Sequence, residues 1–282
     1  MKNSAFTLLL FSSVACFAND IDKLQTIQEV NIFFAKKLDK SYKKYPPLDE
    51  APKVIDTTKY GRNKFFKLDF DGNGLTDLIV YSYRNLLLVT DNGKAGYSVH
   101  TLDNGTFLLN TVDLIAIDDS SVPRKIIVHQ KEKPETQTDT LVFKFNSLIE
   151  FNSNSDIKFE FQEITLKTSR CFGTCPVFEM TIKKDRKAIY KAIEFNEESG
   201  NFISIIPTKE FDEMISLLRY LRFDSLSNEY RVNWTDDQTA TTEIKYNGKV
   251  KTISDYGEIG TFGLVILYSK LFNWRRLIEW RE

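Results

Sequence analysis

The chain is poor in the residues on which most metal and acid–base chemistry depends. Its 282 residues include two histidines, three cysteines and three methionines. His100 and His129 belong to no H-E-x-x-H or C-x-x-C-H pattern, and the sequence holds no G-x-S-x-G elbow, phosphate loop or dinucleotide fingerprint. His129, at the end of the run KIIVHQ, alternates onto a polar face and reads as a surface histidine. Charge of one sign is also missing. Lys and Arg total 38 against 39 Asp and Glu, and neither half is basic, so the electrostatic footprint of a nucleic-acid or anionic-membrane binder is absent. Past the N-terminus no apolar run approaches the roughly 20 residues of a spanning helix. The longest near the C-terminus, residues 264–267, is soon broken by Ser269 and Lys270.

What is present begins with an export signal. Lys2 supplies a positive start, AFTLLLFSSVA a short apolar run, and small residues surround its end, the order of a secretory signal peptide over residues 1–18. Cleavage after Ala18 leaves Asn19 first. The alternative is lipoprotein processing with a lipid on Cys16, although Ser13 stands where that motif expects an apolar residue. Either route places the mature chain in the periplasm, the cell envelope or outside the cell.

The rest divides into two parts. Apolar positions at Ile21, Leu24, Ile27, Val30, Phe33 or Phe34 and Leu38 predict an amphipathic helix within 21–43, stopped by Tyr45-Pro46-Pro47. From Phe65 to Asn152 seven strand-like runs follow, separated by Gly, Asn, Asp and Pro signals. Residues 66–82 and 114–130 share an outline of strand, acidic turn and apolar strand, which suggests a weak internal repeat or two ordinary hairpins. The polar stretch Asn152 to Asp156 is the expected boundary between a domain over 19–155 and one over 156–282. In the second, strands precede a hairpin at Lys184-Asp185-Arg186, and Thr208 is expected to cap a helix over 209–222. Asn247-Gly248 predicts a type I′ hairpin, and a terminal helix is expected from Phe262 to Trp280. The expected fold is mixed: a helix and a β-rich domain, then an α+β domain with a mostly antiparallel sheet and two helices.

The most specific local pattern is Asp69-Phe70-Asp71-Gly72-Asn73-Gly74-Leu75-Thr76-Asp77. Calcium takes six to eight hard oxygen ligands, best supplied from alternating positions of a short loop. Asp69, Asp71 and Asn73 offer side-chain oxygens, Leu75 its carbonyl, and Asp77 completes the set. An EF-hand requires a Glu at the twelfth position, where Val80 stands, so that reading fails. The loop resembles the D-x-D-G-[ND]-G-x-x-D-[LI] calcium loop of FG-GAP and VCBS-type repeats, found in integrin-like and secreted bacterial β-propellers. That resemblance covers one or two units; the second has Asp118 and Asp119 followed by Ser120, Ser121 and Pro123, which lack the ligand pattern of the first. The competing reading is a solvated acidic turn, but alternating oxygens beyond what a turn needs favour structural calcium.

Cys171-Phe172-Gly173-Thr174-Cys175-Pro176 is the second constellation. An even pair in an oxidising compartment argues for a disulfide, with a redox dithiol or a soft-metal site as alternatives. C-x-x-x-C-P is similar to the copper motif of Sco-type proteins, where a helix rather than a strand follows and a histidine completes the site. Arg170 beside it is read as a bridge to a carboxylate rather than an anion site. Asp224, Glu229, Asp236, Asp237 and Asp255 form an acidic cleft only if the fold gathers them. The segment from Ser169 to Phe178, with Tyr190, Tyr230, Thr235-Asp236 and the run from Lys251 to Gly257, resembles a bacterial exported domain family of unknown function, familiar from the Bacteroidota, with an R-x-C-F-G-x-C-P core. The resemblance covers about 160–275 and implies no reaction. The expectation is therefore a calcium-stabilised binding or scaffolding protein of the envelope with a protein or glycan partner. The alternatives are a thiol-disulfide or copper-handling factor using Cys171 and Cys175, or a hydrolase with an acidic site in the C-terminal part.

Overall fold

The computed structural model describes residues 19–38, 65–82, 85–102, 112–130, 137–153 and 158–282. The candidate signal peptide with Cys16, and the Tyr45-Pro46-Pro47 stop, lie outside the described residues, as does the side chain of His129.

Helix α1 (Ile27–Lys37) starts later than its apolar periodicity, because Thr26 and Glu29 form a capping box that fixes the first turn. Residues 21–24 form a turn instead, closed by the Leu24 N–H on the Ile21 carbonyl. Strands β1 (Phe65–Leu68), β2 (Asp77–Ser82), β3 (Asn85–Asp91) and β4 (Tyr97–Thr101) make a four-stranded antiparallel meander. A second four-stranded meander follows in the same order: β5 (Val112–Asp118), β6 (Lys125–Gln130), β7 (Gln137–Lys144) and β8 (Ser147–Glu150). The two segments of the weak repeat thus fill corresponding places, each spanning the first hairpin of its sheet.

Burial explains why several strands do not alternate. Leu78, Val80, Leu87 and Val89 face α1, while Ile79, Leu86 and Leu88 pack with Ile117, Ile126, Val128 and Leu141 of the second sheet. Strands covered on both faces read as continuous apolar runs. In β7 and β8 the division repeats: Leu141 and Leu148 face the first sheet, and Val142 and Ile149 join the C-terminal core. The layers therefore run helix, sheet, sheet, helix pair, sheet.

The last sheet has seven strands in the order β12-β11-β10-β9-β14-β15-β13. These are β9 (Phe161–Thr168), β10 (Val177–Lys183), β11 (Lys187–Glu194), β12 (Gly200–Ile205), β13 (Glu229–Arg231), β14 (Thr239–Tyr246) and β15 (Lys249–Tyr256). All neighbours are antiparallel except β13 and β15. Asn247 and Gly248 both take positive φ, 49° and 70°, as the type I′ turn between β14 and β15 requires. Helices α2 (Thr208–Tyr220) and α3 (Phe262–Leu277) cover its inner face, burying Met214, Leu218, Leu264, Leu267 and Leu271. Pro207 takes the N-cap place of α2, so Thr208 is not the cap; its hydroxyl receives Arg186 Nη1 at 2.7 Å. The helix α3 ends at Leu277, which is 76% exposed, although Trp274 and Ile278 on either side are buried.

Sheet and helix meet closely at the start of α3. The half-buried Glu150 carboxylate accepts the Phe262 and Gly263 N–H groups, an anion at a helix N-terminus. A Cβ on Gly263 would lie 1.9 Å from Leu221 Cδ2, so only glycine permits this approach.

Candidate functional site

The β1–β2 turn is organised by carboxylates that accept backbone N–H groups. Asp69 Oδ1 takes the N–H of Gly72 at 2.8 Å and of Asn73 at 3.1 Å, and its Oδ2 takes that of Gly74 at 3.0 Å. Gly72 and Gly74 have φ of 79° and 84°, the left-handed region in which side chains are strained. Asp77 opens β2 and is fully buried. Its Oδ2 accepts the Phe70 N–H at 2.8 Å, and its Oδ1 accepts the Asp91 N–H at 2.9 Å, tying the turn to β3.

These bonds bring ligand atoms of Asp69, Asp71 and Asp77 within 4.8 Å of one another, the sole such group of three His, Cys, Asp or Glu side chains among the described residues. Burial, with the charge of Asp71 adding to it, pushes the Asp77 carboxyl up to about 7 despite its N–H donors. Asp71 is also raised, first by burial. Among the described residues no Lys or Arg pairs with any of the three. Asn73 is oriented differently: its Oδ1 accepts the Leu75 N–H at 2.7 Å, while Nδ2 donates to Asp71 Oδ2 and to the Asp91 carbonyl. Two partners escaped the sequence reading. Asp91 supplies both its N–H and its carbonyl to the turn, and Asn19 Nδ2 donates to the Thr76 carbonyl at 2.8 Å. Asp91 begins the Asp91-Asn92-Gly93 turn signal; nothing local marks Asn19.

The corresponding turn of the second sheet is neutralised from within. Asp118 accepts both the N–H and the hydroxyl of Ser120 and pairs with Lys125 at 3.2 Å. Ser120, followed by Lys125, holds the Asp118 carboxyl down at about 2.

Cys171 and Cys175 are joined in a disulfide with 5.8 Å between Cα atoms. The loop they close carries Phe172, 86% exposed, whose N–H donates to the Asp236 carbonyl at 2.9 Å. Its base is held by Gln238, whose Nε2 donates to the Ser169 carbonyl at 2.7 Å and the Pro176 carbonyl at 2.9 Å. Arg170 forms the expected bridge, to Glu194. No three of the five C-terminal acids bring ligand atoms within 4.8 Å of one another, but Asp255 and Asp237 both bear on Glu258, whose carboxyl is pushed up to about 7 by burial and then by their charges. Asp224, Glu229 and Asp236 are exposed. Asp237 receives the Trp234 indole N–H, and the buried Asp255 accepts the N–H groups of Ile259 and Gly260.

Among the described residues no helix is long and apolar enough to cross a membrane. No curated protein and no solved structure matches the chain. Residues 162–275, which run from within β9 to within α3, match a family described as a domain of unknown function, DUF6438.

Proposed function

We propose that the protein is an exported envelope component of binding or scaffolding type, its N-terminal β-rich half held by a structural calcium ion in the 69–77 turn. One observation carries the calcium assignment: three carboxylates converge within 4.8 Å around a fully buried Asp77, with no cationic side chain beside them among the described residues. Burying like charges together without a counter-ion is costly, and a divalent cation removes that cost. The donors are hard oxygens only, which suits calcium rather than copper or zinc. Asp69, Asp71 and Asp77 would hold the ion by carboxylate, with the Leu75 carbonyl and Asn73 as the remaining oxygens after a small reorientation of the Asn73 amide. The likeness to FG-GAP and VCBS-type loops supports the same ion. The binding or scaffolding role follows the secreted and integrin-like proteins in which such loops occur.

Export rests on residues 1–18 and agrees with a closed Cys171–Cys175 pair, since disulfides persist outside the reducing cytosol. Native mass spectrometry of the protein taken from its own envelope without chelator tests the whole reading. The expected species begins at Asn19, carries one calcium and is two hydrogens lighter than the reduced chain. Free thiols, bound copper or no calcium would contradict it, and a lipid on Cys16 would make it a membrane-anchored form.

A further inference from the structure

Arg275, on the last turn of α3, is half-buried and makes no ion pair with a carboxylate among the described residues, although the charges of Glu197 and Glu258 reach it from a longer range. A guanidinium carries five N–H donors. Its partners are neutral: Nε donates to the Phe272 carbonyl at 3.1 Å, Nη1 to Asn196 Oδ1 at 2.9 Å, and the guanidinium also hydrogen-bonds the Tyr190 hydroxyl. The group lies over the rings of Phe178 at 4.8 Å and Phe272 at 5.2 Å, and burial lowers its pKa from the usual value. Half-buried cations are normally matched by an anion, since desolvation otherwise goes unbalanced.

Its surroundings are rigid. Asn196 donates both Nδ2 hydrogens to backbone, to the Val177 and Glu194 carbonyls at 2.8 Å each. That orientation leaves Oδ1 as an acceptor shared by Arg275 and the Tyr190 hydroxyl, the latter at 2.9 Å. Arg275 and Tyr190 are thereby fixed side by side in a pocket of about 230 Å³. Phe202 stacks on Tyr190 at 5.8 Å, and Trp280 lies 5.1 Å from it, forming an aromatic wall. The C-terminal tail that carries Trp280 is pinned to β12 by mutual backbone hydrogen bonds of Ile203 and Arg281. At the mouth, Phe195 is held at φ 53°, with its ring 56% exposed.

We propose that this pocket is a binding site for a small monocarboxylate with a flat apolar body, the carboxylate on Arg275 and the body against Trp280, Phe202 and Phe195. Size sets the upper limit, since sites for drug-sized ligands occupy roughly 300–1,000 Å³. Charge selects the monoanion. Arg276 at the mouth is engaged by Glu197 at 3.1 Å, and Glu198 adds an exposed carboxylate, so a compact dianion such as phosphate meets repulsion that a single carboxylate directed at Arg275 avoids. A guanidinium binds carboxylate through paired N–H donors, and Arg275 keeps donors beyond those given to Phe272, Asn196 and Tyr190. The site is independent of the calcium turn, so either assignment can fail alone.

Benzoate is the probe, titrated into the oxidised, calcium-supplied full chain and followed by NMR of the Trp280 indole N–H and Arg275 Nε–H. A saturable, single-site shift is expected. The substitution Arg275→Met keeps an apolar stem under the rings and should weaken benzoate at least tenfold. Phe195→Asn, whose new residue tolerates positive φ, removes only the exposed wall and should weaken it severalfold. Phosphate and acetate should each bind at least tenfold more weakly than benzoate. The proposal is overturned by the absence of a saturable shift, by unchanged affinity in either folded variant, or by phosphate or acetate binding as well as benzoate. Should Arg275→Met fail to fold, Phe195→Asn and the anion comparison still decide.

Discussion

Asp77 and Lys125 occupy the same place in two successive four-stranded sheets, each opening the second strand opposite the last residue of the first. One is an acid and the other a base. In the second sheet Lys125 sits opposite Asp118 and neutralises it, so that turn is complete with its own side chains. In the first sheet the equivalent position adds a third carboxylate to two others. The carboxyl values move apart accordingly, about 2 for Asp118 and about 7 for Asp77, with hydrogen bonding dominant in the first and burial in the second. A shared hairpin outline thus carries an internal lysine in one sheet and, in the proposed reading, a cation from solution in the other.

The largest effect should come from Asp77→Ala. It strips the Phe70 and Asp91 N–H groups of their acceptor inside the protein and should cost about 2–4 kcal/mol in urea unfolding, with or without calcium. A loss confined to calcium buffer would reduce Asp77 to a ligand and remove its role in joining the turn to β3. Acidity comes next. A carboxyl whose folded value is raised favours the folded state below its ordinary value of 3.8 and loses that contribution as pH rises toward about 7. In chelator, stability should therefore fall between pH 4 and 7 more steeply than in saturating calcium; parallel curves would separate the ion from Asp77. Replacing Asp71 with Ala should weaken calcium binding at least tenfold by calorimetry while leaving stability in chelator nearly unchanged, because it also removes a like charge beside Asp77. The smallest effect belongs to the second sheet. Lys125→Met breaks an ion pair with solvent access, and its small effect on stability should be the same in calcium and chelator. NMR titration of that variant should show the Asp118 carboxyl moving back up toward its ordinary range.

Local chemistry was the legible part of this sequence. The acidic turn, the Asn247-Gly248 hairpin, the cysteine loop and the amphipathic stripe of α2 depend on residues within a few positions of each other. Contacts made across the chain left no such mark. Strand β8 is only four residues, Ser147–Glu150, and its role depends on Glu150 reaching α3 more than a hundred positions away. The runs in β2 and β3 show no alternation because α1 and the second sheet bury both faces, a fact about layers rather than strands. Thr208 has the right chemistry for a cap, yet Pro207 takes the position and Arg186 the hydroxyl. Within the acidic turn, Asp69, Asp71 and Asp77 could be named beforehand. Asn73 could be named but not oriented, and Asn19 and Asp91 enter only through folding.

The most direct test is thermal unfolding of the metal-stripped wild-type chain at pH 8, in chelator and in calcium at about one hundred times its dissociation constant. Linkage at that concentration gives about 2.7 kcal/mol, so the melting temperature should rise by roughly 5–10 °C, and Asp71→Ala should abolish most of the rise. Identical melting temperatures in calcium and chelator would contradict the account and leave Asp69, Asp71 and Asp77 as an acidic turn that needs no ion.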